Sequence, residues 1–307
     1  MEYFLLSIGL FLLIKGADVF VDGASAVAGK FGVPSFMIGL TVVSLGTSAP
    51  EAAISISASI SGSGSISLGN VIGSNVFNLL MVIGVTSLFT PLGAKEDLIR
   101  RDMPVNIIAS GALAIVILDG VIGRIEAIFL LAALGVYLFF VIKGAIGSRS
   151  DDGGQKQYPW VLSILMIIGG LASIVFGGDL VVDNARIIAA NFGMSELLIG
   201  LTVVAFGTSL PELVTSIVAV RKGETGIAVG NAVGSCLFNI LFILGITGVI
   251  KPLPAGSELI ADTVFLVIAS VVVYIFAARK RSIGRLDGAL CVILYAIYTA
   301  FIIFRAY

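Results

Sequence analysis

The sequence is poor in charged residues and in the side chains that most often bind transition metals. It has no histidine, which excludes imidazole proton relays and histidine metal sites. Its two cysteines, Cys236 and Cys291, lie in different apolar segments, so neither a disulfide nor a metal–thiolate site is expected. Charged residues make up 12% of the chain and hydrophobic residues 58%, whereas a soluble domain has about 25% charged residues. The composition therefore predicts an integral membrane protein.

The sequence also repeats itself over most of its length. GLTVVSLGTSAPE at 39–51 returns as GLTVVAFGTSLPE at 200–212, with ten of thirteen positions identical and an offset of 161 residues. The same offset relates further residues along both halves without an insertion, which indicates an internal duplication. The polar, glycine-rich stretch at 148–158 is predicted to be a linker between a first repeat at 1–147 and a second repeat at 159–307.

Each repeat holds five apolar segments of the length that a helix needs to cross a membrane, which is about 20 residues. An odd number of crossings per repeat makes the second repeat insert upside down relative to the first. The predicted fold class is an all-α integral membrane protein with ten transmembrane helices arranged as two inverted five-helix repeats. The predicted spans are 3–27, 33–60, 66–90, 103–119 and 125–147, followed by 160–188, 194–220, 226–250, 260–279 and 285–305.

The first apolar segment is interpreted as a structural helix and not as a cleaved leader. It keeps Lys15, Asp18 and Asp22 and has a counterpart in the second repeat. Lysine and arginine are enriched in cytoplasmic segments and so indicate the orientation of the spans. With both termini outside, thirteen of these residues fall in inner segments and four in outer segments. We therefore expect a multi-pass protein of the cell membrane with both termini outside and the linker at 148–158 in the cytoplasm.

The repeated motif places a carboxylate beside a helix break inside an apolar span. Pro50 has no N–H and its ring clashes with the carbonyl of Gly46, so the helix is expected to break near 46–48. The break frees carbonyl oxygens about one turn before Glu51, and the second copy repeats this arrangement before Glu212. A carboxylate at membrane depth costs roughly 3 kcal/mol. Its duplication indicates one shared site that binds cations.

Polar residues in the next span of each repeat extend this set of oxygen atoms. Ser74 and Asn78 are four residues apart and share a helix face, and Ser235 and Asn239 repeat them. Together with the two glutamates they are expected to form an all-oxygen cage, with a formal charge of −2 when both glutamates are ionised. Hard cations such as Ca²⁺ bind about six to eight such oxygens.

Other polar residues in the spans have competing interpretations. Small residues in apolar helices usually serve close helix packing, and packing is favoured here for four serines. Two pairs of aspartates spaced by four residues have two interpretations: they cap helices or form ion pairs at the membrane interface, or they line an ion path. The first, structural interpretation is favoured. The serines are Ser55, Ser57, Ser59 and Ser216, and the aspartates are Asp18 with Asp22 and Asp179 with Asp183.

The repeated motifs resemble those of a known family. GTSAPE with GNVIGSNVFN in the first half, and GTSLPE with GNAVGSCLFN in the second, are similar to the α-repeats of the calcium/cation antiporter superfamily, above all its prokaryotic sodium/calcium exchangers. The resemblance covers essentially the whole chain. It implies ten helices, cation sites between spans 2, 3, 7 and 8, and exchange of Na⁺ for Ca²⁺ by sliding of spans 1 and 6. The ligands it implies are Thr47, Ser48, Glu51, Ser74 and Asn78, with Thr208, Ser209, Glu212, Ser235 and Asn239.

The chain departs from the family in two respects. Some prokaryotic relatives carry an acidic residue at the position of Asn239, whereas here both spans 3 and 8 offer asparagine. The large cytoplasmic regulatory region of animal exchangers is missing, so regulation by a calcium-sensing domain is not expected. The resemblance implies no enzymatic activity and no cofactor. The expected partners are the transported Na⁺ and Ca²⁺ ions and the lipid bilayer; no nucleic acid or protein partner is implied, and a monomer is expected.

Three alternatives to Na⁺/Ca²⁺ exchange remain open at this stage. In the first, Ca²⁺ antiport is coupled to H⁺ or involves K⁺, although the acidic motif of proton-coupled relatives is absent from the spans that carry Asn70 and Asn231. In the second, the protein is a cation channel, which a duplicated closed cage argues against because conduction needs weak binding. In the third, Asp18 and Asp179 form an intramembrane aspartyl protease dyad, although inverted repeats would place them toward opposite faces.

Overall fold

The computed structural model describes residues 1–147, 158–193 and 205–305, and nearly all of these residues are helical. The prediction of an all-helical chain is therefore confirmed for this part of the sequence. The helices are α1 Glu2–Phe31, α2 Ser35–Thr47, α3 Ala49–Ser61, α4 Gly64–Phe89, α5 Leu98–Asp119, α6 Arg124–Gly147, α7 Trp160–Asn191, α8 Ala205–Thr208, α9 Leu210–Arg221, α10 Thr225–Ile250, α11 Glu258–Lys280 and α12 Arg285–Arg305.

Eight of the described helices are long and apolar enough to cross a membrane. The pair α2 and α3, bent by 46° between its two parts, gives a ninth if it is one broken span. The seventh predicted span, 194–220, lies partly outside the described residues, so the count of ten helices stays a prediction. Most of the linker predicted at 148–158 also lies outside them.

The described helices extend past several predicted ends. Helix α1 continues to Phe31, where Gly32 takes a left-handed conformation (φ 64°) and caps it. Helix α5 starts at Leu98 and not at 103, because a π-helical turn over Leu98–Asp102 precedes the regular part. Hydrophobicity marks the part of a helix that lies in hydrocarbon, so it underestimates a helix that continues into the polar boundary.

Helices α1 and α7 pack along a seam of glycines. A Cβ atom on Gly16 would lie 2.9 Å from the carbonyl oxygen of Gly170, and a Cβ atom on Gly9 would lie 2.9 Å from that of Gly177. Residue numbers along the seam increase in α1 as they decrease in α7, from Gly9 against Gly177 to Gly16 against Gly170, so the two helices are antiparallel. Small residues let the two backbones approach closely, which is how helices gain packing energy in lipid.

Helices α4 and α10 form the centre of the molecule. In each of them, 78% of the residues in the apolar 18-residue stretch are buried, compared with 33% in α1 and 28% in α7. Helix α10 packs against α2 and α9, and α4 packs against α3. The broken helices therefore lie directly on the central pair, where their polar residues are withdrawn from lipid.

Two short strand pairings join the loops of the two repeats. Strand β1, Leu92–Gly93, pairs antiparallel with β4, Ser282–Ile283. Strand β2, Val121–Ile122, pairs antiparallel with β3, Leu253–Pro254. Adding the offset of 161 to β1 gives β3, and adding it to β2 gives β4. Replacing each strand by its counterpart in the other repeat therefore turns the pairing of β1 with β4 into the pairing of β3 with β2. This is the pattern that a two-fold relation between the repeats produces.

Candidate cation site

The helix break expected from the sequence lies at Ser48. Helix α2 ends at Thr47 and α3 begins at Ala49, while Ser48 leaves helical geometry with φ −82° and ψ 8°. The second repeat copies the break at Ser209, with φ −94° and ψ 8°, between α8 and α9. Both α3 and α9 carry a proline in their first turn, which supplies no N–H to the preceding turn. The predicted break is confirmed in both copies.

The two breaks meet, and each repeat supplies a serine to the glutamate of the other. The Ser209 hydroxyl donates to Glu51 Oε1 at 3.0 Å, and the Ser48 hydroxyl donates to Glu212 Oε1 at 2.9 Å. Both glutamates are fully buried. The two copies of the motif therefore meet at one place, where each carboxylate accepts a hydrogen bond from the other repeat.

The second oxygen of each carboxylate has no hydrogen-bond partner within the described part of the chain. The same holds for Asn239 Oδ1 and for both amide atoms of Asn78. Leaving a buried charge unpaired is costly, and the unpartnered oxygens of this set are the atoms available to bind a cation. No group of three or more carboxylate, thiol or imidazole side chains that could hold a metal exists among the described residues. The candidate site is thus two carboxylates completed by neutral oxygens, a set suited to hard cations.

The two serines of the central helices contact the glutamates of the site. Ser235 donates to Glu212 Oε1 at 3.4 Å, and buried Ser74 interacts with Glu51. Asn78 and Asn239 each lie in a π-helical segment, Phe77–Val82 and Phe238–Ile243. A π-helical turn shifts the face that the following side chains present and is frequent at functional sites. The sequence argument from α-helical spacing did not predict this shift.

Thr47 and Ser48 give their hydroxyl hydrogens to neighbouring side chains. Thr47 Oγ1 donates to Asn231 Oδ1 at 3.0 Å, as Ser48 does to Glu212. A hydroxyl that has donated its hydrogen keeps its lone pairs, so both oxygens can still contact a cation. Thr208, the counterpart of Thr47, is buried on the wall of the cavity described below.

Two asparagines that the sequence analysis assigned no role hold the glutamates in place. Asn70 Nδ2 donates to the Glu51 carbonyl at 3.2 Å and to Ser55 Oγ at 3.0 Å. Its counterpart does the same in the second repeat. Asn231 Nδ2 donates to the Glu212 carbonyl at 3.2 Å and to Ser216 Oγ at 3.0 Å. Ser55 and Ser216, which were interpreted as packing residues, therefore also accept hydrogen bonds. The sequence carried a signal for this role, because both the serines and the asparagines recur at the offset of 161.

The two aspartate pairs have different surroundings. Lys222 Nζ lies 2.7 Å from Oδ1 of Asp18 and 2.7 Å from Oδ1 of Asp22, so the first pair is bound in ion pairs. The position equivalent to Lys222 in the first repeat holds Ser61, which donates to a carbonyl of its own helix. The second pair, Asp179 and Asp183, lines a cavity of about 290 Å³ that also touches Arg186, Pro50, Thr208 and Pro211. The ion-pair alternative thus holds for the first pair, whereas the second pair lines a cavity and its place on an ion path stays a prediction.

The fold and the site define a class of protein. Long apolar helices surround a buried site of carboxylate, hydroxyl and amide oxygens, and the contacts of the site occur twice at an offset of 161 residues. A site of this composition at the centre of helices that cross a membrane is typical of membrane proteins that bind or carry cations.

The chain belongs to the sodium/calcium exchanger protein family, which matches residues 1–143 and 162–304. It is 39% identical to the inner membrane protein YrbG of Escherichia coli, over 81% of this chain and 79% of that protein. It is 32% identical to the sodium/calcium exchanger MaX1 of Methanosarcina acetivorans, over 100% of this chain and 99% of that protein. Its structure matches the sodium-calcium exchanger NCX_Mj with a TM-score of 0.87 at 35% identity, covering 98% of both chains. The protein is thus a multi-pass membrane protein, and the predicted family is confirmed.

Proposed function

We propose that this protein is an antiporter that exchanges Na⁺ for Ca²⁺ across the cell membrane. The observation that carries the proposal is the pair of buried glutamates, each bonded through one oxygen to the other repeat and each keeping one oxygen unpartnered among the described residues. Membership of the sodium/calcium exchanger family supports the choice of ions. The proposed ligands are Thr47, Ser48, Glu51, Ser74 and Asn78, with Thr208, Ser209, Glu212, Ser235 and Asn239.

Transport proceeds by alternating access in two inverted five-helix repeats. Helices α1 and α7 move as one unit over the central helices, because their glycine seam joins them backbone to backbone. The motion opens the site first to one side and then to the other. The termini face outward, so the cavity beside Asp179 and Asp183 is the outer access path and the Lys222 ion pairs close the inner side.

The charge of the cage makes the exchange electrogenic. Two ionised glutamates give it a formal charge of −2, which one Ca²⁺ neutralises. About three Na⁺ in its place leave one net positive charge on the loaded site, and a membrane potential acts on that charge. Each cycle therefore moves one positive charge in the direction of sodium. The protein acts as a monomer, with no cofactor and no enzymatic step.

The proposal is tested by the cation gradient that drives uptake of radioactive Ca²⁺ into proteoliposomes. We expect an outward Na⁺ gradient to drive uptake without K⁺, because the site is an oxygen cage with no acidic residue beyond the two glutamates in the proposed ligand set. An outward choline gradient of equal size is the control and should drive none.

Other outcomes of this experiment support the rival couplings. Uptake that appears only with a pH gradient would replace Na⁺ by H⁺ as the coupling ion. Uptake that needs K⁺ together with Na⁺ would make the protein a potassium-dependent exchanger. Equal uptake with Na⁺ and choline would contradict antiport and favour a channel.

The ion pairs of Lys222 should limit how readily the inner end of α1 separates from the central helices. The Lys222→Met variant removes the cation that binds Asp18 and Asp22. A partly exposed ion pair contributes up to about 1 kcal/mol, so amide hydrogen exchange at 18–31 should rise about fivefold. The exposed neighbour Arg221 provides the matched control, since Arg221→Met removes the same charge beside the same helix end. Equal exchange in both variants would show that Lys222 does not hold α1.

A further inference from the structure

Asn75 is a buried residue of α4 that touches the site without belonging to the proposed ligand set. It lies at the crossing of α4 with α10, and its side chain is fully buried. Its Nδ2 atom donates to the backbone carbonyl of Cys236 at 3.1 Å. Its Oδ1 atom accepts a hydrogen bond from Asn239 Nδ2 at 3.0 Å. The amide of Asn75 therefore connects a backbone group of α10 with a side chain of the cage.

This chain of hydrogen bonds determines which atom of Asn239 faces the cage. The backbone carbonyl of Cys236 can only accept, so Asn75 must present its NH₂ group there and its oxygen toward Asn239. Asn239 must then donate to that oxygen, which turns its own Oδ1 away from Asn75. Asn239 Oδ1 is one of the buried atoms without a partner in the described part of the chain. A cation needs this oxygen and would be repelled by the NH₂ group.

The first repeat has no equivalent arrangement for Asn78. The offset of 161 pairs Asn78 with Asn239 and Asn75 with Cys236, so the duplication is broken at the residue that would orient Asn78. The Cys236 thiol contacts the Asn75 carbonyl at 3.6 Å. Both amide atoms of Asn78 have no partner among the described residues. The two asparagines of the cage therefore differ, and the amide of Asn239 has the fixed orientation.

We propose that Asn75 is a positioning residue that holds the Asn239 amide with its oxygen toward the transported cation. This inference rests on the proposed function, because it assumes that Asn239 is a cation ligand. Groups that orient a metal ligand through a hydrogen bond typically contribute about 10- to 100-fold to metal affinity. Asn75 thereby gives the second repeat a stronger neutral ligand than the first repeat has in Asn78.

A double-mutant cycle on the full chain tests the proposal. The measured quantity is the Ca²⁺ concentration for half-maximal Na⁺-driven uptake in proteoliposomes. We expect Asn75→Leu, which keeps the branched shape but removes both the donor and the acceptor, to raise this concentration about tenfold. Asn239→Ala should raise it by a similar factor. The double variant Asn75→Leu/Asn239→Ala should differ from Asn239→Ala by less than about twofold, because Asn75 acts through Asn239.

A purely structural role of Asn75 gives a different result, in which the two effects multiply in the double variant. That outcome would overturn the proposal and leave the exchange function intact. The matched control is Cys236→Ala, which keeps the backbone carbonyl that orients Asn75 and should change the half-maximal concentration less than about twofold. If Asn75→Leu does not yield folded protein, the smaller Asn75→Ala gives the same cycle. If the unmodified protein shows no saturable Na⁺-driven Ca²⁺ uptake, the proposed function itself is contradicted.

Discussion

Replacing either glutamate of the cage by glutamine should reduce Ca²⁺ transport at least about a hundredfold while the protein stays folded. Glu51→Gln and Glu212→Gln each remove half of the formal charge but keep the size of the side chain. A unit charge about 4 Å from another contributes about 4 kcal/mol at an effective dielectric constant of 20, and more against a divalent ion. A hundredfold loss of affinity corresponds to about 2.7 kcal/mol, well within that amount.

The measurement is Na⁺-driven Ca²⁺ uptake by purified variants, with the elution profile of each variant as the check of folding. Glu126→Gln provides the matched control, because Glu126 lies in the first turn of α6 and outside the proposed ligand set. Asn78→Ala should cost less than either glutamine variant, since water can replace a neutral ligand where the site has room. A glutamine variant that transports Ca²⁺ at the unmodified rate would contradict the site assignment.

Acid should inhibit exchange in both directions for the same electrostatic reason. Protonation of Glu51 or Glu212 removes a charge that Ca²⁺ needs, so the rate should fall as the pH falls. Asn239 is neutral, and no third carboxylate in the proposed ligand set can take up the proton instead. Initial rates measured from neutral to acidic pH at a fixed Na⁺ gradient test this expectation, and a rate that rises in acid would contradict it.

A membrane potential should shift the Ca²⁺ gradient at steady state about fiftyfold per 100 mV. One elementary charge crossing the membrane changes the free energy by about 2.3 kcal/mol per 100 mV, and 1.4 kcal/mol corresponds to a factor of ten. An inside-negative potential opposes Ca²⁺ uptake into Na⁺-loaded vesicles, because sodium carries the net positive charge outward. The same potential favours Ca²⁺ extrusion that is coupled to an inward flow of Na⁺.

The potential is set with valinomycin and K⁺ at a constant Na⁺ gradient, and accumulated Ca²⁺ is measured when uptake has stopped. A steady state that does not depend on the potential would indicate two Na⁺ per Ca²⁺, or a proton carried along. The proposed count of about three Na⁺ would then be wrong, while the assignment of the two glutamates would stand.

The sequence alone predicted the parts of this structure that depend on local chemistry. The helix breaks at Ser48 and Ser209 follow from the prolines that come two residues later. The meeting of the two repeats at Glu51 and Glu212 follows from their duplication, since a buried carboxylate repeated at one offset needs an explanation beyond packing. That this shared site binds cations stays a prediction. These inferences required no knowledge of which helices touch.

Contacts between the repeats could not be predicted in the same way. A repeat pattern indicates that two copies share a site, but it does not show that Ser48 bonds to Glu212 across the repeats. The ion pairs of Lys222 join residues about 200 positions apart in sequence, and only tertiary packing brings such residues together.

Asn75 escaped the sequence analysis because the search for identical pairs passes over positions where the repeats differ. The structure also gives a reason for the neutral residue at 239. A carboxylate there would place an acceptor against the oxygen of Asn75, whereas the amide of Asn239 donates to it. The departure from the acidic residue of some relatives therefore fits the surroundings of Asn239 in this chain.

The central claim is that Na⁺ and Ca²⁺ exchange through one site at the two glutamates. Its most direct test measures Na⁺ efflux and Ca²⁺ uptake together, with both radioactive ions in the same proteoliposomes. We expect about three Na⁺ to leave for each Ca²⁺ taken up, which moves one net charge, and both fluxes to disappear together in Glu51→Gln and in Glu212→Gln. Ca²⁺ uptake without Na⁺ efflux, or Na⁺ efflux that persists when external Ca²⁺ and Na⁺ are both absent, would contradict the claim.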